Sequence, residues 1–198
     1  IEPYNAVGLV TTVWGVRNRD DIKRNIKHIH GMMKAASWLS SLDFPVRYVA
    51  VPEGALQGFT DEVFDTDHRT FARESAIDIP GPETEMLGEI AQEFGVYMVA
   101  QAKATDADFP EMYFNIGFIL DPEGKIILKH YKSSPLFPVE HSVCPHDVWD
   151  RWIELHGHDL DAFFPVVDTP IGRLAVMMAN EGSYPENARA LAMIDAEV

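Results

Sequence analysis

MMANEGSYPE, residues 177–186, follows directly on the apolar run that starts at Arg173, so that the whole reads RLAVMM and then ANEGSYPE. The run reads as a buried strand. Gly182 permits a tight turn, Ser183 and Glu186 form an S-x-x-E capping box at a helix start, and Pro185 suits the first helical turn. A strand that turns sharply into a helix is a frame for a nucleophile. The helix start directs positive potential at the strand end and would lower the pKa of a thiol held there. The residue so held is Ala179, which has no nucleophile, and the amide of Asn180 beside it is placed as an oxyanion donor.

Outward from this stretch, the chain alternates strands and helices. Ala6–Trp14 (AVGLVTTVW) reads as a buried strand. RDDIKRNIKHIHGMMKAASWLSSL reads as an amphipathic helix with its stripe at Ile22, Ile26, Ile29, Met33 and Ala36. VRYVAVPEG (46–54) is a second strand stopped at Pro52, which cannot donate to a ladder. An irregular stretch follows, then ETEMLGEIAQEFG as a helix ending on Gly95. VYMVAQAKA is a strand, and FNIGFIL and KIILKHY flank the turn DPEG as a hairpin. After a proline-rich loop, HDVWDRWIELHG is a short aromatic helix. NARALAMIDAEV reads as a helix running into the start of another strand. The pattern is α/β with a mixed sheet, in a single domain over 1–198. The lack of an initiator Met and the ending inside an apolar element give the expectation of a longer domain, with its C-terminal part outside these residues.

Composition narrows the function classes. A formal net charge of -15 repels phosphate backbones and anionic lipid, so neither nucleic acid nor membrane is expected as a partner. No apolar run is long enough for a membrane span. Cys144 is the single cysteine, which fits a reducing, cytoplasmic setting.

Three residues come directly after strands: Glu53, Lys132 and Ala179. Strand ends gather along one rim in α/β folds, where ligands bind. A glutamate, a lysine and a thiol there would make an amide hydrolase. The glutamate moves the proton, the ammonium stabilises the oxyanion and the thiolate forms an acyl-enzyme.

VPEGALQGF, LKHYKSSP and GRLAVMMANEGSYPENAR, in that order, resemble the three catalytic blocks of the nitrilase, or carbon–nitrogen hydrolase, superfamily. The likeness extends to PGPETEM, to Asn115 ahead of the hairpin and to PLFPVE. EGSYPE is most similar to the aliphatic amidase and formamidase branch. The resemblance implies a four-layer α-β-β-α sandwich, with Glu53 as general base, Lys132 as oxyanion lysine, Ala179 at the position of the nucleophilic cysteine and Glu140 as a second, substrate-positioning glutamate. It places Asn180, Glu181 and Tyr184 on the substrate side. It also implies a small amide, in preference to a nitrile, as substrate, no cofactor and a homo-oligomer. As written the chain is an amidase silenced by alanine at position 179; the alternative is a natural pseudoenzyme acting as a ligand-binding or scaffold protein. The match is weakest at 60–70 and 141–165, where the pocket walls and hence the substrate identity would be set.

Other residues carry less. Cys144 lies four residues past Glu140 with no strand end beneath it, a poor place for a displaced nucleophile. His28 and His30 sit two apart on a helix and so point apart. His156 and His158 flank Gly157 in a loop, and no carboxylate–histidine spacing suggests a metal. Trp149 and Trp152 are read first as the buried face of their helix, and otherwise as a pocket entrance or subunit contact.

Overall fold

The structure, a computed structural model, describes all of residues 1–198. Five strands form the main sheet in the order β1 (Asn5–Gly8), β2 (Val46–Ala50), β3 (Tyr97–Thr105), β4 (Tyr113–Leu120) and β5 (Ile126–Tyr131). The first three are parallel and the last three antiparallel, the mixed sheet that the sequence pattern suggests.

The period-two alternation of β3 and β4 divides the molecule. Met98, Ala100, Ala102, Ala104, Phe114, Ile116, Phe118 and Leu120 face one way. They pack against Ile22, Ile26, Ile29 and Met33 of α1 (Ile22–Ser40) and against Leu87 and Ile90 of α4 (Pro82–Phe94). Burying each large apolar side chain contributes roughly 1.5–3 kcal/mol, so this stripe fixes α1 on the sheet. Ala36 is the stripe's half-buried end. Helix α4 stops at Gly95, whose φ of 62° is the left-handed C-cap the sequence calls for. Asp121 holds the hairpin turn by accepting the N–H groups of Glu123 and Lys125 at 3.0 and 2.9 Å.

On the opposite face Ile119 and Leu128 meet Ile171, Leu174, Val176 and Met178. These belong to, or follow, the two-stranded sheet of β6 (Val167–Thr169) and β7 (Gly172–Leu174). The approach is close because position 117 is glycine: a Cβ there would lie 2.5 Å from Val176. The layer order helix, sheet, sheet is that of the expected sandwich, and α6 (Pro185–Met193) follows the second sheet.

Several elements differ from their sequence reading. The strand expected over 6–14 ends at Gly8, and Val10 is 88% exposed. As an edge strand β1 pairs only with β2, which ends at Ala50 ahead of Pro52, so the ladder has no partner beyond Leu9. RLAVMM is strand only to Leu174, because β6 offers three residues to pair. Ala175 instead donates to Val198 O, and Glu197 and Val198 donate to Arg173 O. The stretch read as irregular holds α2 (Thr60–Val63) and α3 (His68–Glu74), the latter capped by Asp67 accepting from Thr70 N–H at 3.0 Å. The aromatic helix α5 spans Trp149–His156. No helix is long and apolar enough to cross a membrane.

Candidate active site

The second face of the main sheet carries polar side chains at one end. On it Asn115 of β4 stands opposite Lys132, which donates its N–H to Asn115 O at 2.9 Å just past β5. Gln101 of β3 completes the row. Its Oε1 accepts Gly54 N–H at 2.9 Å and its Nε2 donates to Asn115 Oδ1 at 2.6 Å. The Asn115 amide therefore turns its Nδ2 outward, to Glu53 Oε1 at 2.6 Å and Glu140 Oε2 at 3.2 Å. Lys132 Nζ donates to Glu53 Oε1 at 2.9 Å and to Glu140 Oε1 at 2.5 Å. Glu53 reaches the row because Gly54, at φ 80°, turns the chain where a Cβ would lie 2.7 Å from the Phe59 ring.

The Lys132 side chain is 1% exposed and those of Glu53 and Glu140 are 12% and 11% exposed. Burial alone would lower the Lys132 pKa. The hydrogen bonds and charges of Glu140 and Glu53 outweigh it and hold the pKa above its ordinary value, so the ammonium is charged at neutral pH. Glu53, Lys132 and Glu140 thus converge as a buried trio with a charged donor facing two carboxylates.

Ala179 opens a 3₁₀ turn over Ala179–Ser183, is exposed, and has a φ of 36°. A non-glycine residue in that region costs on the order of 1 kcal/mol, and such outliers gather at functional positions. The turn differs from its sequence reading. Gly182 does not carry the positive φ, and Tyr184, not Ser183, precedes α6, so no Ser183–Glu186 box forms. Helix α6 has no side-chain cap; Glu181 instead caps the 3₁₀ turn, accepting Met178 N–H at 2.9 Å. Ala179→Gly should raise stability by about 0.5–1 kcal/mol in a urea titration, since glycine takes the same φ without strain; an unchanged or lowered midpoint would remove the strain from the account.

Glu181, expected from the sequence on the substrate side, is enclosed by protein groups. Its side chain is 1% exposed and its oxygens are used by His130 Nε2 at 2.9 and 3.1 Å, Ser133 N–H at 2.7 Å and Ser133 Oγ at 2.9 Å, besides Met178. Burial would raise its pKa, but the hydrogen bonds from His130, Met178 and Ser133 lower it. Glu181 ties the 179–183 turn to the residue after Lys132. Asn180 adds a second tie, donating from Nδ2 to Ser134 O at 3.2 Å, and Tyr184 is about half exposed.

A cluster that the sequence reading missed lies beside the trio. Lys103, opposite Asn115 on the β3–β4 ladder, is fully buried and forms ion pairs with Asp61 and Glu62 of α2; Tyr113 Oη donates to Asp61 at 2.7 Å. The Phe59 and Phe71 rings flank its ammonium at 6.0 and 5.7 Å. Desolvation and the neighbouring Asp61 push Glu62 up to about 7 against the pull of Lys103, while Asp61 is held low. A lysine inside a strand of small residues, AQAKAT, was the available signal.

The raised acid has a stability consequence. Because folded Glu62 binds its proton more tightly than the unfolded chain does, stability falls as pH rises from about 4.5 to about 7 and is level above. Glu62→Gln should flatten that fall, gaining about 1–3 kcal/mol on the parent between pH 4.5 and 7.5. Parallel slopes of melting temperature against pH in the two proteins would contradict the assignment.

The remaining candidates lie apart from the trio. Cys144 is buried, and desolvation with a hydrogen bond to Asp147 pushes its thiol up to about 11, which makes it a poor nucleophile. His30 pairs with Glu93 at 2.7 Å, His28 accepts Thr12 N–H at 3.2 Å, and His156 packs 4.2 Å from Trp152. No three His, Cys, Asp or Glu side chains form a metal-holding group. Trp152 is core, as its helix position suggests, but Trp149 is 46% exposed.

Comparison with known proteins adds to this geometry. The family profile described as carbon-nitrogen hydrolase matches residues 11–198. A formamidase of Bacillus cereus (strain AH820) is 31% identical over 185 residues, covering 92% of this chain and 48% of its own length. The chain therefore spans about half the length of the curated relatives it matches. In fold it is similar to the carbon-nitrogen hydrolase from Helicobacter pylori G27, with a TM-score of 0.69 at 17% identity, over 98% of this chain and 57% of that one. It is also similar to Saccharomyces cerevisiae Nit3, of branch 10 of the nitrilase superfamily, with a TM-score of 0.68 at 19% identity, over 96% and 60% of the two chains.

Proposed function

This chain belongs to the carbon–nitrogen hydrolase family, and on that premise we propose that its site is built to convert a small amide to a carboxylic acid and ammonia, with the covalent route silenced at Ala179. In the complete reaction a thiol at 179 loses its proton to Glu53 and attacks the amide carbon. The Lys132 ammonium and the Asn180 N–H receive the oxyanion. Glu53 passes the proton to the departing nitrogen, the carbon–nitrogen bond breaks and ammonia leaves. Water, deprotonated by Glu53, then attacks the thioester and frees the acid and the thiol. Glu140 holds Lys132 and faces the amide. Asn180 and Tyr184 border the substrate, and Glu181 acts by holding the turn.

The observation that carries this reading is the convergence of Glu53 and Glu140 on one buried ammonium, tied by Asn115. Burying such a group is costly and is a mark of functional sites. The test is ammonia release after Ala179→Cys in the whole protein. A second reading, a ligand-binding or scaffold protein, is favoured by the one missing group at 179 in a site otherwise kept. Under it the Cys variant releases no ammonia although amides still bind. The family reading also carries a homo-oligomer, for which the exposed apolar run Trp38, Leu39, Leu42 and Phe44 supports a contact surface, and the single cysteine carries a cytoplasmic setting.

A further inference from the structure

A cavity of about 300 Å³ lies against the two segments that meet at the turn, Ser133–Ser134 after Lys132 and Asn187 after the nucleophile position. Its other wall is aromatic. His146, Trp149 and Phe163 form a stack, with centroids 5.7 Å apart for His146–Trp149 and 5.6 Å for Trp149–Phe163. Phe164 continues that wall and stacks on His130, the partner of Glu181, at 6.2 Å. The floor is polar, neutral and already held: Ser133 Oγ donates to Glu181, and Asn187 Nδ2 donates to Glu181 O at 3.0 Å. No aspartate, glutamate, lysine or arginine lines the space.

We propose that this cavity binds the planar, neutral ring of a substrate amide, so that the natural substrate is a carboxamide bearing one aromatic ring and not an amide as small as formamide. The inference rests on the amidase reading of the site and names its substrate class. Stacked rings on one side favour a flat, apolar partner, and the absence of charged walls disfavours an ionised one. A cavity of about 150 Å³ holds benzene, so this one has room for a ring and its link to the carboxamide. Ligand sites are of this kind, apolar and aromatic with a few fixed polar groups. The cavity begins at Ser133, the residue after Lys132 in sequence, and its floor is bonded to Glu181 of the 179–183 turn.

The protein as it stands allows binding to be measured without turnover. Saturation-transfer NMR and calorimetry with benzamide and acetamide should show benzamide bound at least about ten-fold more tightly. Trp149→Ala and Phe163→Ala should each weaken benzamide several-fold and leave acetamide unchanged. Equal affinities, or benzamide binding indifferent to both substitutions, overturns the assignment. Both side chains are partly exposed, and circular dichroism of each variant confirms that it folds. Failure here is separable from failure of the amidase reading. If Ala179→Cys releases ammonia from acetamide and benzamide alike, with no effect of Trp149→Ala, the cavity assignment falls and hydrolysis stands. If benzamide binds through Trp149 but no amide is hydrolysed, the cavity stands and hydrolysis falls.

Discussion

Ala179→Cys should raise ammonia release from amides by at least about a thousand-fold over the Ala179 protein. Removing a nucleophile from a concerted site costs roughly that or more, because the other members act as a unit with it. The proposed unit is Glu53, Lys132 and Glu140. Glu53 and Glu140 share the Lys132 ammonium, and Glu181 couples the 179 turn to Ser133, next to Lys132. A thiol added at 179 would sit at the start of a helical turn, whose first N–H groups lack internal partners and favour the thiolate. The rate should fall back when Glu53→Gln is added, since the glutamine cannot take the thiol proton. Addition of Cys144→Ser should leave it unchanged, because that thiol is buried and its pKa is raised. Colorimetric ammonia determination over a panel of amides and nitriles makes the comparison; a Cys variant no faster than the parent would count against the site as a catalytic one.

Lys103→Met should be the most damaging single substitution outside the site. Methionine fills a similar volume between Phe59 and Phe71, so packing changes little, but Asp61 and Glu62 lose their only buried cation. Breaking a buried pair from one side costs about 3–5 kcal/mol. For a chain of this size that is a drop of roughly 6–20 °C in melting temperature. Joining it with Asp61→Asn and Glu62→Gln should recover most of the loss, because the carboxylates are then no longer unpaired charges. Calorimetry of the single and triple variants decides it. A single-variant loss below about 1 kcal/mol would mean that water reaches the cluster and screens it.

The features legible in the sequence were those set by short-range pattern. The Ile22–Met33 stripe, the Gly95 cap, the DPEG hairpin and the strand-end position of Lys132 all follow from periodicity and turn chemistry, whereas Glu53 stands three residues past the end of its strand at Ala50. Strand lengths did not, because a strand runs only as far as its partner: β1 and β7 are short for lack of neighbours, not of apolar residues. Glu181 shows the same limit at a single residue. In EGSYPE it reads as a turn acid beside a ligand, yet His130, 51 residues away in sequence, and Ser133 bury it. The Lys103 cluster joins residues about forty apart, and only the charge inside AQAKAT hinted at it. The aromatic wall of the cavity lies where the family likeness is weakest: Trp149 was legible as a candidate pocket-entrance residue, but its stack with His146 and Phe163 emerged only from the packing.

Whether position 179 and the Glu53–Lys132–Glu140 trio form one catalytic site is read from the intact mass of the Ala179→Cys protein quenched in acid during turnover of benzamide. A fraction heavier by one benzoyl group is expected, located by peptide mapping on residue 179 and absent when Glu53→Gln is added. A benzoyl group found on Cys144, or no adduct while ammonia is released, would contradict it.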